Sequence, residues 1–272
     1  MFLSLKENKD FTKEIVDYIF INQNKSKSRC TCIEKDLSKI KQDINNIFFN
    51  EQKQCHFIKN EKIEFVSYGI FIENEKYIQI LFIFGNDKNI IKQYFSFLKN
   101  NYKNYKIDIV IPNENILNTI LTDFVKEEVK TGIHLKLNKK IKNITKDKSY
   151  IVSNIKPHLI DEYKEIHQNE TGYWNNKKIL KEKKFKIIVC IYNNELVGYI
   201  DIYNAVLYNE IYDIFVLENI KNKKEVLKQM LLYANDYFNN ILFVSENDFY
   251  CDVFKEIGFI EEDNSKTYSF IL

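Results

Sequence analysis

Arginine and long apolar runs are scarce in this chain, and each scarcity argues against a class of protein. Arg29 is the single arginine among 40 basic residues, and the formal net charge is only +2. Without a basic excess or bidentate arginine contacts, binding to the phosphates and bases of nucleic acid is disfavoured. No apolar run approaches the roughly 20 residues that a membrane-spanning helix needs. We therefore expect neither a nucleic-acid partner nor a membrane partner.

The cysteines do not form a recognisable framework. They lie at positions 30, 32, 55, 190 and 251, an odd number without disulfide spacing, which is typical of a reducing compartment. Cys30, Cys32, Cys55 and His56 could form a zinc site, but the pairs lack the usual two-residue spacer. Met1 to Leu5 is too short for the apolar core of a signal peptide. We expect a soluble, cytoplasmic protein without a metal, in which the histidines at 134, 158 and 167 are structural.

The same succession of elements occurs twice, at a nearly constant offset. Each half contains a predicted hairpin, a continuous apolar strand, an amphipathic helix, a second strand, a second helix and a final strand. The central strands, amphipathic helices and second strands are 78–84, 90–98 and 107–112 in the first half, and 211–217, 226–234 and 241–245 in the second. Strands 133–138 and 267–272 are expected to finish their own halves, and the lysine-rich segment 139–148 to be a solvated linker. The sequence thus predicts two domains, 1–145 and 146–272.

The end of the chain has the most specific pattern. Strand Ile241 to Ser245 leads into Asn247, a good helix N-cap, and Gly258 follows the helix where a left-handed residue is needed. This ending and the element order of residues 149–272 resemble the GNAT superfamily of acyl-CoA-dependent N-acyltransferases; residues 1–138 match as a pattern only. The resemblance implies an α/β (α+β) protein of two tandem GNAT-like domains, each a mixed, mostly antiparallel sheet flanked by helices. We expect the N-terminal domain to be degenerate.

The resemblance also implies a cofactor, acetyl-CoA or another acyl-CoA, and its binding residues. In the family a glycine-containing turn opens the helix after the fifth strand and binds the pyrophosphate, but the stretch 218–226 contains no glycine. Lysines here could supply charge instead, although a solvated surface is the alternative. Backbone N–H groups of the fifth strand would polarise the thioester carbonyl. The cofactor-binding candidates are Val216, Leu217, Lys221, Lys223, Lys224, Val226 and Asn247.

Catalysis would require a base for the amine and an acid for the leaving thiolate. Asp213, Glu210 and Asp201 are the candidate bases. Strict alternation along the strand places Asp213 on the same face as Ile211, whereas Glu210, at the strand's start, is expected to be exposed.

The position that the family uses for the acid is Phe254, which has no proton to donate. Tyr250, one turn earlier on the same helix face, could replace it. Alternatively, Tyr250 fills the space that a pantetheine chain would occupy. The resemblance places Tyr173 and Trp174 beside the acceptor cleft, where they could stack on an acceptor or pack into the core.

Two functions from different classes fit these patterns. One is acyl transfer to a primary amine, either a small molecule or a peptide, by a monomer or homodimer. The other is a ligand- or protein-binding module that keeps the fold and has lost the cofactor site, because fold does not fix function.

Overall fold

The apolar runs of the sequence form β-strands that lie in two units. Unit 1 comprises Met1–Gly132 and Asn264–Leu272, and unit 2 comprises Ile133–Asp263. The computed structural model describes residues 1–30, 33, 35–85, 87–122, 129–142, 144–167, 174–204 and 209–272. Within these ranges, no helix combines the length and the apolar character needed to cross a membrane.

In unit 1, strands pair antiparallel in chain order except for one parallel pair, β4 with β5. Two helices follow the first strand, and a third connects the parallel pair. The elements are β1 Leu3–Ser4, α1 Thr12–Gln23, α2 Leu37–Asn45, β2 Lys53–Lys59, β3 Ile63–Ile72, β4 Tyr77–Gly85, α3 Lys88–Asn101, β5 Lys106–Pro112 and α4 Leu117–Leu121. Strand β6, Val129–Leu137, follows. The second helix predicted for the first half is observed as α4, and residues 123–128, between α4 and β6, lie outside the described ranges.

Unit 2 repeats this order. Its strands again pair antiparallel, with one parallel pair, β10 with β11, connected by a helix. The elements are β7 Tyr150–Asn154, α5 Ile160–Ile166, α6 Asn176–Ile179, β8 Phe185–Tyr192, β9 Glu195–Asn204, β10 Asn209–Val216, α7 Lys223–Tyr237, β11 Ile241–Ser245 and α8 Asp248–Glu256. Strand β12, Ile260–Ile271, ends the chain. Each unit is a mixed, mostly antiparallel sheet with helices, as the sequence predicts.

The final strands are exchanged between the halves, and here the sequence-based prediction is wrong. Residues 265–271 of β12 pair antiparallel with 106–112 of β5, so the last strand of the chain completes unit 1. Residues 133–137 of β6 pair antiparallel with 241–245 of β11 and complete unit 2. Both arrangements satisfy the strand hydrogen bonds, so the local pattern of either strand does not identify its partner.

The lysines of the segment after β6 are exposed, as expected of a solvated charge run, but the segment is not a free linker. Its backbone is held by α7: the Ile141 N–H donates to Asn235 Oδ1 at 2.7 Å, and Gln229 Nε2 donates to the Thr145 carbonyl at 3.0 Å. Ile141 and Ile144 pack on the core of unit 2. These contacts explain why the compact units differ from the consecutive segments 1–145 and 146–272.

The sheet of unit 2 has two differently covered faces. Helices α7 and α8 cover one face, where Val226, Leu227, Met230 and Phe254 pack with apolar residues of β9, β10 and β11. Helices α5 and α6 cover the other, with Tyr163 and Ile179 against β8 and β9. Apolar residues at helical spacing bury one stripe of each helix, so the core itself fixes which side chains face the sheet.

The chain ending after β11 forms as predicted. Asn247 caps α8 by accepting a hydrogen bond from the Phe249 N–H at 2.9 Å. Gly258 has a φ of 107°, a conformation that side chains with a β-carbon rarely adopt. The Phe259 N–H then donates to the Phe254 carbonyl at 3.0 Å, which turns the chain out of the helix.

Candidate functional site

Strands β10 and β11 part from each other in the middle of unit 2. Their parallel pairing covers only Asn209–Ile211 against Ile241–Phe243, and β10 continues to Val216 without a partner on that side. Of the two N–H groups expected to polarise a carbonyl, that of Leu217 donates to the Val197 carbonyl at 2.9 Å. The Val216 N–H faces the gap, where it meets the Tyr250 hydroxyl. Of these two residues, Val216 is therefore the one whose N–H group lies on this side of the strand.

A β-bulge at Tyr212 decides which side chains of β10 share a face. The register shifts between Ile211 and Asp213, so Ile211 lies opposite Ile202 and Asp213 opposite Asp201. Ile211 packs into the core beneath α7, whereas Asp213 points to the α5 side. The predicted shared face of Asp213 and Ile211 is therefore wrong, because strict alternation does not survive an inserted residue.

Asp213 belongs to a buried network of polar side chains. Tyr199 donates to its Oδ2 at 2.8 Å, and His167 Nε2 lies 3.5 Å from the same oxygen. His167 Nε2 also lies 3.2 Å from Asp201 Oδ2, to which Tyr163 donates at 2.8 Å. The His167 and Asp201 side chains have no exposed surface, whereas 19% of the Asp213 side chain is exposed. Asp213 is therefore the solvent-facing end of the network.

Helix α5 and the two strands position this network. Tyr163 and His167 are one turn apart, and the His167 N–H closes that turn on the Tyr163 carbonyl. The His167 ring stacks on the Tyr199 ring with centroids 5.2 Å apart and an interplanar angle of 14°. Aromatic packing thus holds the imidazole between two carboxylates that β9 and β10 place directly opposite each other.

Burial dominates the electrostatics of Asp201. Desolvation raises its pKa to about 6, while the hydrogen bonds from His167 and Tyr163 act in the opposite direction and the charge of Asp213 adds to the rise. Asp201 Oδ1 and His167 Nδ1 are buried without a hydrogen-bond partner among the described residues. Ligand atoms of His167, Asp201 and Asp213 lie within 4.8 Å of one another, a spacing that a metal ion could also bridge. The hydrogen bonds described above already hold His167 Nε2, Asp201 Oδ2 and Asp213 Oδ2 in place, so a metal ion is not needed to explain their positions.

Glu210 lies on the same face of β10, opposite Tyr203. It is half-buried rather than exposed as expected, and desolvation raises its pKa to about 7. Unlike Asp213, it makes no hydrogen bond or ion pair with any residue that the structure describes.

Tyr250 is half-buried on α8, between Phe243 and Phe249. Desolvation raises the pKa of its phenol, and the charge of Asp213 adds to this effect. The hydroxyl consequently stays protonated near neutral pH. Phe254, one turn later, is fully buried and stacks on Phe243 with centroids 4.3 Å apart, so it is a core residue.

The start of α7, where a pyrophosphate is expected, is a mixed environment. No side chain caps this helix, and the N–H groups of Glu225 and Val226 donate to the Asn222 carbonyl. Lys223 pairs with Glu218 and Lys224 with Glu256, whereas the exposed Lys221 forms no ion pair in the described part of the chain.

The remaining predicted site residues have mainly structural contacts. The Val226 side chain is fully buried, and Asn247 is occupied in capping α8. Trp174 packs against Phe185 with centroids 5.0 Å apart, and contacts the rings of Tyr203 and Tyr212. Tyr173 lies outside the described residues, as does Cys32 of the disfavoured zinc set.

Sequence reasoning missed Tyr163, His167 and Tyr199. The sequence predicts a structural role for His167, because no partner pattern accompanies it. Two signals could have identified it: its four-residue spacing from Tyr163 on a helix, and the presence of an aspartate within each of two apolar strands. A buried carboxylate requires a donor, and a helical histidine on the facing element can be one.

The architecture matches solved structures of the GNAT fold. A tandem GNAT protein from the clavulanic acid biosynthesis pathway matches 100% of this chain and 98% of its own, with a TM-score of 0.65 at 6% identity. A GCN5-related N-acetyltransferase from Sphaerobacter thermophilus gives a TM-score of 0.68 at 6% identity, over 99% of this chain and 95% of that one. A putative acetyltransferase from Pyrococcus horikoshii gives 0.59 at 10% identity, over 100% and 89%.

No protein-family model matches the sequence, and no curated protein matches it. The structure confirms that the chain has a tandem GNAT fold, although its sequence is only 6% identical to the first two of these proteins.

Proposed function

We propose that unit 2 is an N-acyltransferase that transfers an acyl group from acetyl-CoA, or another acyl-CoA, to a primary amine. The observation that carries this proposal is the network of His167, Asp201 and Asp213, which reaches solvent only at Asp213. Asp213 acts electrostatically on Tyr250 in the gap between β10 and β11. A candidate base and a candidate acid therefore lie near each other where the strands part.

The residues around this gap fit an acyl-CoA in two respects. The uncapped start of α7 presents backbone N–H groups and the positive end of a helix dipole, which favour a phosphate even without glycine. Lys221, Lys223 and Lys224 add positive charge there, two of them shared with carboxylates. The Val216 N–H, facing the gap, is placed to donate to a carbonyl oxygen. An acyl-CoA supplies the activated acyl group as a thioester.

Each of the polar side chains then has its own role in acyl transfer. Asp213 accepts the proton that an ammonium acceptor must lose before its nitrogen can attack. His167 is buried between the two aspartates and holds Asp213 in place. Its Nε2 atom lies close to the carboxylates of both Asp213 and Asp201. Tyr250, kept protonated by burial, donates its proton to the leaving sulfur.

One observation favours the binding module as a second candidate. The Tyr250 hydroxyl already lies at the Val216 N–H, so a thioester carbonyl would have to displace it. With the loop lacking glycine, this arrangement would also suit a protein whose cofactor channel is closed by a side chain.

A matched pair of variants tests the acyl-transfer proposal. Asp213→Asn keeps the size of the side chain and removes its basicity, so the acyl-transfer rate should fall roughly 10²- to 10⁴-fold. Asp161→Asn is the control, because that side chain is 90% exposed on α5 and, among the described residues, pairs with Lys164 alone. Rates are measured with acetyl-CoA and a set of primary amines. Equal rates in the two variants would contradict the role of Asp213.

A further inference from the structure

Glu210 stands out because no residue in the described part of the chain pairs with its carboxylate. Asp213, on the same face of β10, receives hydrogen bonds from Tyr199 and from the Ile214 N–H. Glu210 receives none from the residues that the structure describes, and no described lysine pairs with it. A half-buried carboxylate without a cation is costly unless one is brought to it.

The surroundings of Glu210 suit an organic cation. Its cross-strand partner, Tyr203, belongs to a group of aromatic rings with Trp174 and Phe185. The Lys184 ammonium lies 5.8 Å from the centroid of the Tyr203 ring, so this ring already attracts one cation. Aromatic faces and a carboxylate together bind ammonium groups more strongly than either does alone, since the first offers its quadrupole and the second its charge.

The bulge at Tyr212 brings Glu210 and Asp213 to the same face. Glu210 lies opposite Tyr203 and Asp213 opposite Asp201, so the two positions are separated by two residues of the neighbouring strand, roughly 7 Å. Both carboxylates are on one face, so hydrogen bonds to a ligand that lies along this face do not shorten the span, which suits two nitrogens separated by roughly four to five carbon atoms.

Building on the acyl-transfer function proposed above, we propose that the acceptor is a diamine or longer polyamine. One nitrogen lies at Asp213 and is acylated, while a second, protonated nitrogen pairs with Glu210. Asp213 takes up the proton of the reacting nitrogen, so the positive charge at Glu210 remains through the reaction. Glu210 thus selects the acceptor without acting on the reacting atoms.

The alternative role for Glu210 is general base, and kinetics separate the two. A base would be needed for every amine and its loss would lower kcat. A binding group for the second nitrogen would matter only for acceptors that carry one, and its loss would raise KM.

The experiment compares butane-1,4-diamine with butylamine as acceptors, in the wild type, Glu210→Gln and a control, Glu195→Gln. Glu195 is an exposed glutamate at the start of β9. The wild type and the control should prefer the diamine at least tenfold in kcat/KM. Glu210→Gln should lose this preference through a rise in KM for the diamine, with butylamine unaffected. A preference unchanged by the substitution, or an equal fall in kcat for both amines, would overturn the inference.

A second measurement keeps this test independent of the acyl-transfer function. Butane-1,4-diamine alone should raise the melting temperature of the wild type and of Glu195→Gln, but not that of Glu210→Gln, because a ligand that binds the folded state stabilises it. If no amine is acylated but this shift is present, the acyl-transfer proposal fails and diamine binding at Glu210 stands. If acylation occurs without the shift and without the diamine preference, the inference on Glu210 fails alone.

Discussion

Asp201 and Asp213 place two negative charges at directly opposed positions of neighbouring strands. Like charges in this position repel each other, and burial of Asp201 increases the cost. The pKa of Asp201, raised to about 6, shows that desolvation outweighs the hydrogen bonds from His167 and Tyr163. Burial therefore favours the protonated form of Asp201 more than it is favoured in an exposed aspartate.

The Tyr250→Phe variant tests whether the Tyr250 hydroxyl acts as the acid in acyl transfer or whether the side chain only blocks the cofactor channel. If the phenol donates a proton to the leaving sulfur, the variant should transfer acyl groups roughly 10²-fold more slowly with little change in melting temperature. Tyr237→Phe is the control, since Tyr237 is 64% exposed on α7. Acyl-transfer rates and thermal melts of both variants check this. Unchanged turnover in Tyr250→Phe would rule out the acid role and favour the blocked channel.

At the residue scale, sequence reasoning identified side chains better than their orientation. Asp213, Glu210 and Tyr250 could be named from strand and helix patterns. The side of the sheet on which Asp213 lies could not be predicted. The extra residue at Tyr212 reverses the alternation of side chains between the two faces, and the amino-acid composition of the strand does not reveal it. His167 could not be placed either, since its partners come from two strands that follow it in the chain.

At the scale of elements, the exchange of final strands has the clearest physical consequence. The Tyr268 side chain of β12 is fully buried in a core of unit 1 and donates to Asn118 Oδ1 at 2.9 Å. Residues 265–271 also cover the edge of β5. Unit 1 therefore depends on a strand that the second half of the sequence encodes.

We expect Tyr268→Ala to destabilise unit 1 by about 3–5 kcal/mol, as truncation of a buried aromatic side chain does. Amide hydrogen exchange measures the effect locally. Protection should fall along β5, residues 106–112, and persist along β11, residues 241–245, because β5 pairs with residues 265–271 of β12, whereas β11 pairs with β6. A loss of protection confined to β11 would contradict the exchange.

Strands and helices were predictable because their signals are local. Continuous apolar runs gave β4 and β10, and apolar residues at helical spacing gave α3 and α7. The partner of the last strand was not predictable, because β6 and β12 follow the same kind of helix and either could complete either sheet. That choice depends on packing between segments far apart in sequence.

At the scale of the whole molecule, the two units repeat one topology, and we propose that only unit 2 binds a cofactor. In unit 1 a cleft of about 680 Å³ lies beside the start of α3. Its lining carries more carboxylates than lysines, with Glu14, Asp17, Glu64 and Asp87 against Lys25 and Lys62. This excess of negative charge repels a pyrophosphate, which supports a degenerate N-terminal domain.

The most direct test of the account is a thermal melt of the intact chain with acetyl-CoA. A ligand at 100 times its dissociation constant adds about 2.7 kcal/mol to the stability of the folded state, so the melting temperature should rise by several degrees. ATP is the control for non-specific binding of a polyanion. The account predicts a rise with acetyl-CoA that ATP does not reproduce; no rise at millimolar acetyl-CoA would contradict it and leave the binding module as the function that the fold supports.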